Sequence, residues 1–183
     1  MRTGVWNRLR PAVAALAAVI AVPVLAPGVA DAGRSAQTSS LTALELSTVE
    51  TINELRVSHG LAPLTVSAQL FDSTMIHCRQ MVEGGYFGHE SPNGSSFLSR
   101  ITSYYPRGRY RYYSVGENLL WTMSPLSSQA MVERWMKSPE HRANLLDPTW
   151  RQVAVGALSV PAAPGIFGNR PVTVVTVDFG VRA

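Results

Sequence analysis

The chain has a single cysteine, Cys78, in 183 residues, so no disulfide forms within it and its stability comes from packing. Long apolar runs are also missing. Residues 12–26 are almost wholly apolar, but they fall short of the roughly 20 residues that span a bilayer, and Pro23 and Pro27 would break them. No Arg-Arg pair precedes that run, which argues against twin-arginine export, and no cysteine follows it closely enough for lipoprotein acylation. Neither H-E-x-x-H nor G-x-S-x-G occurs, and no nucleophile stands out. Internal repeats and low-complexity tracts are absent. The formal net charge is +4, and setting aside Arg2, Arg8, Arg10 and Asp31 leaves 13 basic and 11 acidic side chains. That balance does not point to a nucleic-acid partner.

What is present begins with a secretory pattern over residues 1–32. Arg2, Arg8 and Arg10 make a basic start, the apolar run follows, and Ala30-Asp31-Ala32 is a cleavage site. The expected mature chain, 33–183, opens with a polar tether at 33–40 and is long enough for one domain with its own core at 41–183. Helical spacing of Leu41, Leu44, Ile52 and Leu55, with Val49 beside them, predicts a helix from about residue 40 to 58, ended by Gly60. Residues 61–65 read as a loop. Ser67 caps a second helix to Glu83, with Phe71, Met75, Cys78 and Val82 as its buried stripe. A short helix over 95–104, a strand over 110–121, a helix over 128–137 and a short helix capped by Ser138, with Pro139 at its first position, come next. Strands over 153–160 and 172–179 close the chain. Helices first and hairpin-like strands last give an α+β fold.

Three islands carry ionisable residues in unusual settings: Gly85-Tyr86-Phe87-Gly88-His89-Glu90-Ser91-Pro92, Val115-Gly116-Glu117-Asn118-Leu119, and Ser138-Pro139-Glu140-His141-Arg142. Glu117 shares a strand face with Val115, Leu119 and Trp121, so it needs a cation, a metal or several donors; the alternative is a structural Glu bonded to backbone N–H groups. His141 is the third residue of a helix, where the dipole disfavours imidazolium and leaves a neutral ring suited to a metal or to general-base work; its alternative is to cover the helix start. His89 is fixed by a loop, as a functional residue or as a turn stabiliser. Two His and one carboxylate are a common zinc ligand set. His59 reads as a helix cap, His77 as structural, and Cys78 as a small core hydrophobe.

Residues 104–113 interleave tyrosine and arginine. In a cytosolic protein that composition suits nucleic acid; with export it suits an anionic envelope polymer or a lipid headgroup, and its plainer reading is a solvated loop entering a strand. Asp178-Phe179-Gly180 spells a kinase metal motif without the rest of a kinase, and Asn93-Gly94-Ser95 is a sequon of a frequency expected by chance.

At these islands the chain resembles the CAP superfamily (cysteine-rich secretory proteins, antigen 5 and pathogenesis-related proteins) in its bacterial secreted branch. The resemblance rests on Asn53-Glu54-Leu55-Arg56, His59-Gly60-Leu61, the stretch from Met81 to Gly94, Val115-Gly116-Glu117-Asn118, Trp135-Met136-Lys137-Ser138-Pro139-Glu140-His141-Arg142, Val155-Gly156 and Val177-Asp178-Phe179-Gly180, in family order. It implies a three-layer α-β-α sandwich with a central antiparallel sheet. It also implies a cleft where animal members gather two His and two Glu, sometimes around a divalent metal. His89, Glu117 and His141 match three of the four; Lys137-Ser138 stand where the fourth, a Glu, would be, and neither Glu133 nor Glu140 matches that position. The expectation is a secreted, monomeric protein that binds a small lipid or a cell-envelope polymer, with a divalent cation such as zinc held by His89, Glu117 and His141. The alternatives are a metal-assisted hydrolase using the same residues and an envelope-interaction module using the arginine/tyrosine strip.

Overall fold

The computed structural model describes residues 41–183; the expected signal segment at 1–32 and tether at 33–40 lie outside the described residues. Helix α1 is Ala43–Ser58. It starts after Thr42 rather than at residue 40, because Thr42 and Glu45 form a reciprocal capping box. The Glu45 carboxylate also accepts the backbone N–H of Ala157 at 2.9 Å, which stitches the helix start to the sheet. Strand β1, Thr65–Val66, falls at the end of the expected loop. Helix α2 is Ala68–Gly84, capped by Ser67 and ended by Gly85 in the left-handed region. Helix α3 is Phe97–Tyr104, strand β2 Tyr113–Thr122, helix α4 Ser128–Met136 and helix α5 Pro139–Leu145. Strands β3, Gln152–Ala163, and β4, Arg170–Arg182, are joined by a 3₁₀ turn at Gly165–Phe167.

Strand β2 begins three residues later than expected. The Arg107 side chain donates to the carbonyls of Tyr110 and Arg111, both at 2.9 Å, and folds 107–111 into a closed loop instead of a ladder. Ser138 occupies the cap position of α5, but its hydroxyl bonds the Glu140 carboxylate at 3.0 Å rather than a backbone N–H.

The sheet order is β1-β3-β4-β2. The β2/β4 and β3/β4 pairs are antiparallel, as expected; β1 adds a parallel pair at one edge, so the sheet is mixed. The period of two along β4 separates the layers. Val175, Val177, Phe179 and Val181 pack with Val49 and Ile52 of α1, Met131 and Trp135 of α4 and Leu145 of α5. Val172 and Val174 pack with Cys78, Met81 and Val82 of α2, while Leu70 and Phe71 of α2 meet Ile101 of α3. The result is the expected three-layer sandwich. The buried Arg56 ties α1 to the turn after α5 through the carbonyls of Ala62, Leu145 and Asp147. No helix of the described residues is long and apolar enough to cross a membrane.

Candidate functional site

Strand β2 lies at a sheet edge, and Glu117 points from it toward the α2/α3 layer, with its side chain 1% exposed. Its two oxygens are both engaged. His89, 31% exposed on the loop after α2, donates from Nδ1 to Glu117 Oε1 at 2.8 Å. Arg100, buried on α3, ion-pairs with Oε2. Burial pushes the Glu117 carboxyl up; the hydrogen bond from His89 and the Arg100 charge outweigh it and hold the group below the usual range.

Arg100 also shapes the loop. One of its Nη atoms donates to His89 O at 2.9 Å and to Ser91 Oγ at 3.2 Å. From beneath, the fully buried His77 donates from Nε2 to Gly88 O at 2.9 Å. Burial holds the His77 ring below its ordinary value, in its neutral form. His77 is therefore structural, as expected, and what it supports is the peptide next to His89. His59 caps the end of α1 and takes no part.

The opposite face of β2 holds α5. Asn118 donates to His141 O at 3.0 Å, and Asn144 donates to Glu117 O at 3.0 Å and to Asn118 Oδ1 at 2.9 Å. Trp150 Nε1 closes the network on Asn144 O. Only glycine fits at 116, because an added Cβ would lie 2.9 Å from the Trp150 ring and 3.1 Å from Asn144 Oδ1. The Gly-Glu-Asn sequence thus has three separate jobs: clearance for Trp150, charge toward His89, and an anchor for α5.

His141 is half-buried on α5, and its ring is held below its ordinary value by burial first and by the neighbouring His89 second. The two imidazoles come from opposite sides of the edge strand, and the charge on His89 opposes charge on His141. Among the described residues, neither His89 Nε2 nor the His141 ring has a hydrogen-bond partner. Glu133 and Glu140 are both exposed, and the Glu140 charge partly offsets the lowering of the adjacent His141.

Two functional neighbours were not found by sequence reasoning. Arg100 supplies the cation that a buried Glu117 demands; that demand was legible, but nothing in the chain named the donor. Asp178, quoted as part of a family-like segment and given no site role, is the cross-strand partner of Glu117. It is fully buried, with Ser73 and Glu117 as polar neighbours, yet neither carboxylate oxygen has a hydrogen-bond partner. Burial, reinforced by the Glu117 charge, pushes Asp178 well above the usual carboxylate range, which favours the neutral acid.

A three-ligand metal centre does not fit these donors. Glu117 has both oxygens taken, one by a guanidinium, and the remaining donors are two imidazole nitrogens, fewer than the three protein ligands of a catalytic zinc site. Among the described residues, no group of three or more His, Cys, Asp or Glu is arranged to hold a metal ion. A separate hollow of ≈ 330 Å³, lined by Leu44, Met123, Leu126, Met131, Val160 and Val172, lies at the far end of β2.

Comparison with known proteins agrees with this architecture. The model of the cysteine-rich secretory protein family (CAP) matches residues 49–179. The Bacillus subtilis protein YkwD is 31% identical over 118 residues, 64% of this chain and 44% of YkwD. The Bacillus subtilis membrane protein YlbC is 30% identical over 115 residues, 63% of this chain and 32% of YlbC. The match thus spans less than half the length of either relative. Among solved structures, an extracellular protein containing an SCP domain from Bacillus anthracis superposes with a TM-score of 0.56 at 23% identity, covering 80% of this chain and 45% of that one. An outer surface protein of Borrelia burgdorferi gives 0.55 at 21% identity, covering 74% of this chain and 90% of that one. At such identities these structures share the fold.

Proposed function

Because the chain belongs to the cysteine-rich secretory protein (CAP) family, we infer that it is an exported ligand-binding domain that takes a polar group of a cell-envelope component between His89 and His141. The observation that carries this reading is the locked imidazole. His89 is fixed at Nδ1 by a buried carboxylate, so Nε2 is presented in a set direction beside a second half-buried ring. A preorganised donor or acceptor pair of that kind binds without first losing side-chain freedom. The apolar hollow lies about 17 Å along β2 from Glu117, at roughly 3.3 Å per residue, so contact at the imidazoles is polar even for a lipid ligand. Export is supported by the secretory pattern of residues 1–32 and by the extracellular and outer-surface descriptions of the two solved structures.

Side-chain NMR of the imidazoles tests this reading. A soluble disaccharide-peptide fragment of cell wall, or short-chain phosphatidylglycerol, should shift the His89 and His141 ring signals without added metal. The folded His89→Ala/His141→Ala and His141→Gln proteins should bind the same probe at least tenfold more weakly. Binding retained in those variants, or ring signals that move only with zinc, would overturn it. The oriented His89 favours one second reading, general-base hydrolysis of an envelope polymer. Turnover of the cell-wall fragment, lost in the folded His89→Ala protein, would replace binding with catalysis.

A further inference from the structure

The expected tyrosine/arginine strip is a built surface rather than a plain connecting loop. Tyr104, Tyr110 and Tyr112 are 37%, 48% and 42% exposed, a concentration of uncovered aromatic surface within nine residues. Arg107 is spent on holding the loop closed through the carbonyls of Tyr110 and Arg111. Arg182 reaches in from β4, stacks 3.7 Å from the Tyr105 ring centroid and 5.6 Å from that of Tyr110, and donates to Gln69. Arg109 and Arg111 are exposed, and among the described residues their side chains meet no carboxylate and make no hydrogen bond. The ion pairs of the described residues all use Glu117, and no acidic residue lies between Arg100 and Gly116 in the chain. Arg109 and Arg111 therefore alternate in the chain with exposed tyrosines, in a stretch that carries no acidic side chain of its own.

The geometry points to a binding surface for an acidic polysaccharide at Arg109, Arg111, Tyr110 and Tyr112. Guanidinium groups pair with carboxylate or phosphate in a planar fork, while tyrosine offers a flat apolar face and a polar edge, which suits a sugar ring. A membrane surface would call for Trp, Phe or Leu to insert among the cations, and the exposed residues here are tyrosines. The loop is already closed by Arg107, so little ordering opposes binding. Tyr113 lies four residues from Glu117, about 13 Å along the same edge strand at roughly 3.3 Å per residue, so a polymer on this surface runs toward the histidine cleft. The inference itself does not depend on what that cleft binds.

Affinity electrophoresis and calorimetry of the protein with polygalacturonate provide the test. Binding should weaken as salt rises, since exposed charge contacts are screened. The Arg109→Glu/Arg111→Glu protein should bind roughly tenfold or more weakly, as expected for two exposed charge contacts turned repulsive. Neither arginine side chain bonds the fold, so these changes leave it standing. Tyr112→Ala should lose several-fold at unchanged charge, dextran should not bind, and polyphosphate of matched charge should bind more weakly than the polyuronate. Equal or tighter binding of polyphosphate, of a single-stranded oligonucleotide or of phosphatidylglycerol vesicles would overturn the assignment, as would polyuronate binding indifferent to Arg109 and Arg111.

Discussion

A carboxylate removed from water costs several kcal/mol unless charge and donors replace the solvent, and at Glu117 that replacement is Arg100 and His89. Removing the guanidinium with Arg100→Met leaves two buried carboxyl groups without their cation, so urea denaturation should show a loss on the order of 3–5 kcal/mol. The two carboxyls also carry opposite pH signatures. Glu117 titrates below its unfolded value, so its contribution is present above about pH 4 and is lost as pH falls through the folded value. Asp178 titrates above its unfolded value, so its contribution is complete below about pH 4 and is lost as pH rises toward the folded value. Asp178→Asn is neutral throughout and removes the second trend. The stability of wild type relative to Asp178→Asn should fall as pH rises from 4, by up to about 1.4 kcal/mol per pH unit; a difference constant from pH 4 to 8 would mean that Asp178 is ionised in the fold. Chain pattern alone revealed Glu117 as a carboxylate on an apolar strand face. It could not reveal Asp178, because the partner of Glu117 is set by sheet register between strands 61 positions apart in the chain.

At the scale of elements, β2 is held between two layers by different means on its two faces. Hydrophobic spacing marked most of the helices and the three long strands, because a period of 3.6 or 2 is written directly into the chain. Two starts moved where side chains capture backbone groups, Thr42 and Glu45 at α1 and Arg107 before β2, while β3 and β4 run past the expected 153–160 and 172–179 because they pair with each other to Ala163 and Arg170. Strand β1 was not legible, since two residues carry no period and its pairing depends on β3 being alongside. The asparagine network between β2 and α5 was equally hidden, although the glycine that admits it was noticed as part of a motif. Gly116→Ala tests the reason for that glycine. A methyl group 2.9 Å from the Trp150 ring must push an indole that is itself fully buried. The expected result is a loss of about 1–3 kcal/mol, the range for overpacking a filled core, with a change in Trp150 fluorescence. A neutral outcome would show that α5 can shift away from β2 without cost.

At the scale of the whole molecule, three packed layers replace the disulfides that many secreted domains use. The single thiol reports on how well they do it. Cys78 lies on α2 against the sheet, fully buried, with Sγ directed to Gly156 O and Thr176 Oγ1 at 3.3 Å each. Burial pushes the thiol up to about 12, whereas a thiol freed by unfolding ionises near its ordinary value of about 8.5. Both effects suppress reaction in the folded state. Reaching the sulfur requires α2 to leave the sheet, and with it the Met81, Val82, Val172 and Val174 contacts of the same cluster. No partial opening of a loop exposes it. An aromatic disulfide reagent at pH 8 should therefore label one thiol promptly in urea and at least about a thousandfold more slowly in buffer, the ratio set by a global stability of 5 kcal/mol or more. The opening free energy from the labelling rate should match that from urea denaturation, and reductant should leave the melting temperature unchanged. Rapid labelling with the circular dichroism intact would show instead that α2 detaches on its own, and the three layers would not then unfold as one unit.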